Sequence, residues 1–285
     1  MSTPSAVLLI TCPDRPGLVA GVANFITGHG GNILHADQHV DDAAGIFFQR
    51  VEFALDGFGL TRDEIAPAFA SVAEPLGMEF RVAFSDERPR IAVLVSTAPH
   101  CLTDLLARWA AGELAADVRV VVSNHPDHAP TAAFYGVDYE YCPIVDGDRA
   151  AQETMVRAVL DARDVDLVVL ARYMQVLSDE FVAAYPNRII NIHHSFLPAF
   201  VGARPYHQAH TRGVKLIGVT AHYATADLDE GPIIEQDVVR VSHRDAVDDL
   251  VRKGRDLEKT VLARAIRAHL DHRVLVYGNK TVVFT

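Results

Sequence analysis

Arg188-Ile-Ile-Asn-Ile-His-His-Ser-Phe-Leu-Pro198 is the stretch on which the fold turns. Its first half, residues 188–192, is a short apolar run with two adjacent β-branched isoleucines, the pattern of a strand buried in a largely parallel sheet. Polar groups gather at the strand's end, first the Asn191 amide and then the His193 imidazole. Two apart in an extended segment, these side chains point the same way. Ligands of open α/β sheets bind outside the carboxyl ends of the strands, which is where both groups stand. An amide N–H and an imidazole aimed at one point suit a carbonyl oxygen that becomes an oxyanion during attack. Losing such a donor typically costs about 2.7–4 kcal/mol of transition-state stabilisation.

A third polar group belongs with them. Asp229 lies in Asp227-Leu-Asp-Glu-Gly-Pro-Ile-Ile234, where Gly231-Pro232 marks a turn into an alternating strand, residues 233–241. A loop carboxylate that reached His193 would orient the imidazole, favour its charged form and accept a proton from water. Taken singly, each residue has an ordinary reading: a backbone-capping amide, an interior histidine and a turn carboxylate.

The surrounding chain alternates strand and helix. Residues 91–95 read as a buried strand, and Leu102, Leu105, Leu106 and Trp109 mark the helix that follows. Residues 118–123 form the next strand, residues 134–141 turn through another short extended piece, and Met155, Val156, Val159 and Leu160 give one side of a helix. Asp166-Leu-Val-Val-Leu170 is a continuous apolar strand, and a short helix starting at Ser178 ends before Pro186. A strand over 215–222 and an amphipathic helix over 245–270 follow, with Gly254 as the helix's weak point. Gly278-Asn279 is a hairpin signal between residues 273–277 and 281–284. This alternation predicts a doubly wound, largely parallel α/β domain over residues 91–285.

The first 84 residues read differently. Residues 6–11 form a strand, and Pro13-Asp-Arg-Pro-Gly17 turns into a helix with Asp14 as its N-cap and Pro16 in its first turn. Leu18, Val22, Phe25 and Ile26 recur at helical spacing until His29-Gly-Gly31. Residues 32–40 and 45–53 alternate and make a hairpin around Asp41-Asp42; a helix over 62–71 and a strand over 79–84 complete a ferredoxin-like βαββαβ order. Residues 85–90, charged and proline-bearing, form the linker.

Composition narrows the function. With 285 residues, 49% hydrophobic and 22% charged, the chain suits two moderate domains with real cores. A formal net charge of −11 opposes binding to nucleic acid. No apolar run reaches the ~18 residues of a membrane span. The opening Met1-Ser-Thr-Pro-Ser5 lacks a basic and apolar leader, so the cytoplasm is the expected location. Cys12, Cys101 and Cys142 are widely separated and read as buried thiols. Among the 14 histidines, His193-His194 and His207-x-x-His210 come nearest to ligand pairs, but neither has metal-site spacing, and no metal is expected.

Together, Asn191-Ile-His-x-Ser-x-Leu-Pro198, and His222 seven residues before Asp229-x-Gly-Pro-Ile-Ile234, resemble the folate-dependent formyltransferase family. So do Val169-Leu-Ala-Arg-Tyr-Met-Gln-Val-Leu177, Ile192-His-His-Ser-Phe-Leu-Pro-Ala-Phe-Val-Gly202 and Tyr277-Gly-Asn-Lys-Thr-Val-Val-Phe284. The resemblance implies that Asn191, His193 and Asp229 are catalytic. It further implies that Leu170, Met174, Val176 and Leu177 wall a pterin pocket, that Ala224 and Asp227 belong to the loop closing its other side, and that His222 supports the site. The implied substrate is 10-formyltetrahydrofolate, with no separate cofactor.

The relative that formylates glycinamide ribonucleotide has a glycine-rich loop for its acceptor's phosphate, whereas Ser96-Thr-Ala-Pro-His-Cys101 contains no glycine. Water is then the expected nucleophile, giving formate for purine biosynthesis and tetrahydrofolate. Formyl transfer to an amine and a noncatalytic amino-acid sensor remain as alternatives. The N-terminal βαββαβ order and Asp14-Arg-Pro-Gly-Leu18 resemble ACT domains. That implies an amino-acid effector near Asp14, Arg15, Gly17, Leu18, Gly31 and Asn32, and pairing of subunits into a homo-oligomer; a domain that serves only to pair subunits is the other reading.

Overall fold

In the computed structural model, residues 4–199 and 205–285 are described, so Met1, Ser2, Thr3 and the quoted Phe200, Val201 and Gly202 lie outside the described residues. By internal contacts the chain divides into two units, residues 1–87 with 271–277 and 282–285, and residues 88–270 with 278–281.

The first unit runs β1 (Ser5–Pro13), α1 (Leu18–Gly28), β2 (Ile33–Asp41), β3 (Ile46–Ala54), α2 (Arg62–Leu76) and β4 (Glu79–Phe84). The strands form an antiparallel sheet of order β2-β3-β1-β4. Central β1 is apolar almost throughout, because both of its faces are covered. Ala6, Leu8, Ile10 and Cys12 pack with Leu18, Phe25 and Phe69 from the helices. Val7 and Leu9 pack instead with Phe48, Phe284 and Leu275. That second contact is why residues at the end of the chain group with the first unit, although in sequence they follow the second.

Two details differ from the sequence reading. Asp14 does not cap α1: the N-cap is Gly17 at φ 95°, and the Asp14 amide instead donates to the Gly45 carbonyl at 2.9 Å. The turn needs a left-handed residue, which glycine supplies at least cost. Helix α2 runs past residue 71 to Leu76, because Val72, Ala73 and Leu76 join the core before Gly77 ends the helix at φ 66°.

The second unit continues with β5 (Arg90–Val95), α3 (His100–Ala110), β6 (Asp117–Ser123), α4 (Ala129–Phe134), β7 (Asp138–Tyr141), α5 (Arg149–Asp161) and β8 (Leu167–Leu170). It ends with α6 (Asp179–Ala184), β9 (Ile189–His193), α7 (Pro205–Arg212), β10 (Leu216–Tyr223), β11 (Ile233–Arg240) and α8 (Val247–Leu270). Beyond these lie β12 (Val274–Tyr277) and β13 (Lys280–Val283), a two-stranded pair. The main sheet has order β11-β10-β9-β8-β5-β6-β7. It is parallel from β9 to β7, while β10 is antiparallel to both β9 and β11.

Residues 134–141 were expected to be extended, yet α4 ends at Phe134 and the strand starts only at Asp138. Pro130 in the first turn of α4 and Gly136 at φ 69° bracket that helical turn. Strand order reverses between β5 and β8, whose carboxyl ends therefore flank the switch point of the sheet. Gly254 lies inside the continuous helix α8. A Cβ there would stand 2.0 Å from Tyr206 Oη, so the missing side chain is what admits the tyrosine.

Candidate active site

Strand β9 carries Asn191 and His193, and its neighbours bring the rest of the site. Pairing with β8 sets Leu170 beside Asn191, and antiparallel pairing with β10 sets His222 opposite Asn191 and Thr220 opposite His193. Asn191 Nδ2 lies 3.2 Å from His222 Nε2. His222 Nδ1 donates to the Tyr223 carbonyl at 3.0 Å, which leaves Nε2 facing both Asn191 Nδ2 and the loop after β10.

Asp229 adopts a left-handed conformation, φ 59°, in the loop after β10, and its Oδ1 stands 3.1 Å from His193 Nδ1 and 3.7 Å from His222 Nε2. On the other edge of the ring, His193 Nε2 is 2.9 Å from Ser195 Oγ, whose own hydrogen goes to the Ala199 carbonyl at 2.8 Å. Both nitrogens of His193 thus face oxygens, Asp229 Oδ1 on one edge and Ser195 Oγ on the other. Burial pushes the Asp229 carboxyl up, but the neighbouring His193 and His222 outweigh it and hold the group far below the usual carboxylate range. Of the two, His193 is the stronger partner, since 3.7 Å exceeds hydrogen-bond length.

These groups line a cavity of about 600 Å³. Leu170, Met174, Val176, Leu177, His222 and Ala224 line it too, but Asp227 does not; its carbonyl closes the loop by accepting from Thr225 Oγ1 at 3.1 Å. Met174, Val176 and Leu228 are 57%, 56% and 63% exposed, an unusual density of large apolar side chains for a solvent-facing rim. Apolar walls with a few placed polar groups are what a flat heteroaromatic ring requires.

The sequence reading missed a second cluster on the same cavity. Glu258 of α8 is 1% exposed, with Oε1 2.7 Å from Tyr206 Oη and Oε2 2.7 Å from His100 Nε2 and 3.4 Å from Arg172 Nε. One signal was legible: Leu250, Gly254, Glu258 and Leu262 recur every fourth residue on the buried face of α8, so a carboxylate stands on an apolar stripe. His194 lies between the clusters, its ring centroid 5.1 Å from that of His193 and 6.2 Å from that of Tyr206. Burial, then the charges of Arg172 and His193, push it down to about 4.

His100, Cys101 and Glu258 offer ligand atoms within 4.8 Å of one another. Arg172 already supplies positive charge there, and burial together with Glu258 raises the Cys101 pKa, which opposes the thiolate a metal site needs.

In the first unit, Asp14, Arg15 and Gly17 are exposed on the turn before α1. Leu18 is a core residue, Gly31 gives way to Ile26 and Phe58 side chains that would stand 2.8 Å from a Cβ, and the Asn32 carbonyl accepts from Ala54 at 2.9 Å.

Comparison with known proteins agrees with this architecture. Residues 89–266 match the formyl transferase family model and residues 6–69 the ACT domain model. A formyltetrahydrofolate deformylase of Synechocystis is 58% identical over 284 residues, spanning 100% of both chains. The crystal structure of a formyltetrahydrofolate deformylase from Pseudomonas syringae superposes with a TM-score of 0.97 at 48% identity, covering 100% of this chain and 96% of that one. A glycinamide ribonucleotide transformylase from Symbiobacterium toebii matches 70% of this chain and 95% of its own at 36% identity, with a TM-score of 0.66.

Proposed function

The chain belongs to the formyltetrahydrofolate deformylase family, and from that premise we propose that Asn191, His193 and Asp229 hydrolyse 10-formyltetrahydrofolate to formate and tetrahydrofolate. In one-carbon metabolism this reaction supplies formate for purine biosynthesis. The observation that carries the assignment of residues is that all three line one cavity, with His193 3.1 Å from Asp229 and His222 bridging Asn191, at 3.2 Å, to Asp229, at 3.7 Å.

Water attacks the formyl carbon, and negative charge grows on the formyl oxygen. Asn191 Nδ2 and the His193 imidazole stabilise it, each preset before the substrate arrives. Proton movement follows from the ion pair. While His193 is charged, Asp229 is a poor base; once His193 passes its proton toward the oxyanion or the departing N10, Asp229 loses the charge that depressed it and takes the proton of the attacking water. N10 leaves protonated and formate is released. His222, fixed by Tyr223, keeps the Asn191 amide turned into the site. Leu170, Met174, Val176, Leu177 and Ala224 bind the pterin ring.

Incubation with 10-formyltetrahydrofolate and no acceptor is the test. Formate and tetrahydrofolate appear in equal amounts; intact substrate after prolonged incubation overturns the reading. We also propose that the ACT unit binds an amino acid at the exposed Asp14–Gly17 turn, that copies of the chain associate, and that the protein works in the cytoplasm. Among the described residues no helix is long and apolar enough to cross a membrane.

A further inference from the structure

Arg172 stands just past the end of β8, at the switch point of the sheet, and its backbone is left-handed at φ 64°. A residue with a side chain is strained in that conformation, and such strain persists where the surroundings over-determine it, most often beside a ligand. Here the surroundings are the end of β5. The Ser96 amide donates to the Arg172 carbonyl at 3.2 Å, and the Met174 amide donates to Ser96 Oγ at 2.9 Å. The side chain that this turn presents lines the cavity and is 17% exposed. Among the described residues Glu258 is its one ion-pair partner, with Nε 3.4 Å from Oε2, yet Nε is buried without a hydrogen-bond partner. Because the pair is made through Nε, the Nη1 and Nη2 edge is left for another acceptor.

We propose that Arg172 is a subsite for formate, the small carboxylate that the reaction liberates, and that it draws this product away from the catalytic residues. The assignment rests on the hydrolysis proposed above and adds where its anionic product goes. Position supports it: the register of β8 and β9 sets Leu170 beside Asn191, and two residues beyond that pairing come Arg172 on one strand end and His193 on the other. Charge supports it, because formate forms beside the Asp229 carboxylate, which repels it, in a cavity whose wall holds a guanidinium with donors to spare. Size supports it as well. A side chain only 17% exposed suits a one-carbon anion. The glutamyl carboxylates of a folate, separated from N10 by a benzoyl ring, call for a cation that reaches solvent, as the exposed Arg255 of the same cavity does.

The step is one of binding alone: no bond forms to Arg172 and no proton moves. Two N–H groups of the guanidinium donate to the two formate oxygens, a match of planar forks that an ammonium group cannot make. Glu258 shares the guanidinium, so formate is held loosely enough to leave.

The experiment is calorimetric titration of sodium formate into the full-length protein saturated with tetrahydrofolate. It is run on the wild type, on Arg172→Lys and on Arg172→Gly, the last chosen because glycine accepts the left-handed backbone. The formate dissociation constant is expected to rise about tenfold or more in Arg172→Gly, and by a smaller factor in Arg172→Lys, which keeps the charge and loses the fork. A smaller rise in Arg172→Gly, or no binding of millimolar formate by the wild type, overturns the proposal. Should Arg172→Gly fail to fold, Arg172→Lys decides, and a constant equal to that of the wild type overturns it. Titration with tetrahydrofolate and with tetrahydropteroate, which lacks the glutamate, tests the other source of a carboxylate. Loss of tetrahydrofolate affinity alone, with formate binding intact, assigns Arg172 to the glutamyl tail and overturns the formate subsite. Turnover of 10-formyltetrahydrofolate is measured separately, and its absence in the wild type strikes the proposed function, whatever the formate titration shows.

Discussion

Two histidine–carboxylate pairs share one cavity and are built in opposite ways. His100 and Glu258 meet at 2.7 Å with Glu258 1% exposed, and each carboxylate oxygen has a close partner, Oε1 Tyr206 and Oε2 His100, with Arg172 Nε 3.4 Å away as an ion pair. His193 and Asp229 meet at 3.1 Å, and Asp229 is 15% exposed, held by one close partner and one at 3.7 Å. A buried carboxylate with a close partner on each oxygen is a fixture, and removing one partner exposes an uncompensated charge. A carboxylate with one close partner keeps capacity for water and for a proton. The contrast teaches that saturation, more than charge or residue type, separates the wall of this cavity from its working end.

The comparison breaks most sharply at Asp229. Asp229→Asn retains the size and one hydrogen-bonding oxygen but removes the proton acceptor, so turnover should fall on the order of 10²–10⁴-fold, the span of general acid–base catalysis. Binding of tetrahydrofolate, followed by fluorescence or calorimetry, should stay within a few-fold of wild type; a loss of binding to match the loss of turnover would make Asp229 a docking residue instead. Asn191→Ala should cost somewhat less, about 10²–10³-fold in kcat, the cost of one oxyanion donor. Rapid-quench measurement of the first turnover separates that effect from product release.

The parallel core and the site strand were legible because they depend on local patterns: continuous apolar runs at β5 and β8, and a spacing of two that puts Asn191 and His193 on one side of β9. Asp229 was legible only through its motif, since its approach to His193 depends on a left-handed backbone at φ 59° that no periodicity encodes. Asp14 was misjudged as a cap because the local pattern is shared by capped helices, whereas the turn's tertiary bond to Gly45 decides the geometry. The Glu258 cluster escaped because its members, His100, Arg172, Tyr206 and Glu258, stand far apart in sequence, and only the fold brings them together.

Gly254 sharpens the comparison from the structural side. In sequence it is a helix-weakening residue, and replacing it by alanine should stabilise an exposed helix by about 0.8–1.0 kcal/mol. In the structure an alanine methyl would meet Tyr206 Oη at 2.0 Å, so Gly254→Ala should instead destabilise the protein by about 1–3 kcal/mol, as overpacked cores do. Thermal or urea denaturation gives the sign. The double variant Gly254→Ala with Tyr206→Ala should recover part of the loss, since the clash is removed; full additivity would place the cause elsewhere in α8.

The smallest effect expected lies between the two pairs, at His194. Its pKa falls to about 4 in the folded protein, chiefly through burial and then through the charges of Arg172 and His193, whereas an unfolded histidine titrates near 6.5. Between about pH 6.5 and 4 the unfolded chain therefore binds a proton at this position that the folded chain refuses. Stability rises with pH wherever the unfolded state holds more protons, so His194 makes the protein lose stability as pH falls through that window, and the loss levels off below about pH 4. Replacing it with a residue that does not titrate removes this contribution. His194→Gln should thus show a flatter dependence of unfolding free energy on pH from about 6.5 to 4, measured by urea titration at a series of pH values. The comparison with His272 is the control, because that residue is also buried and pushed down to about 4, by burial and then by Arg81 and Arg50, and remains in the variant to set the residual slope. An unchanged slope in His194→Gln would mean that His194 is solvated more freely than its place between Arg172, His193 and Tyr206 implies.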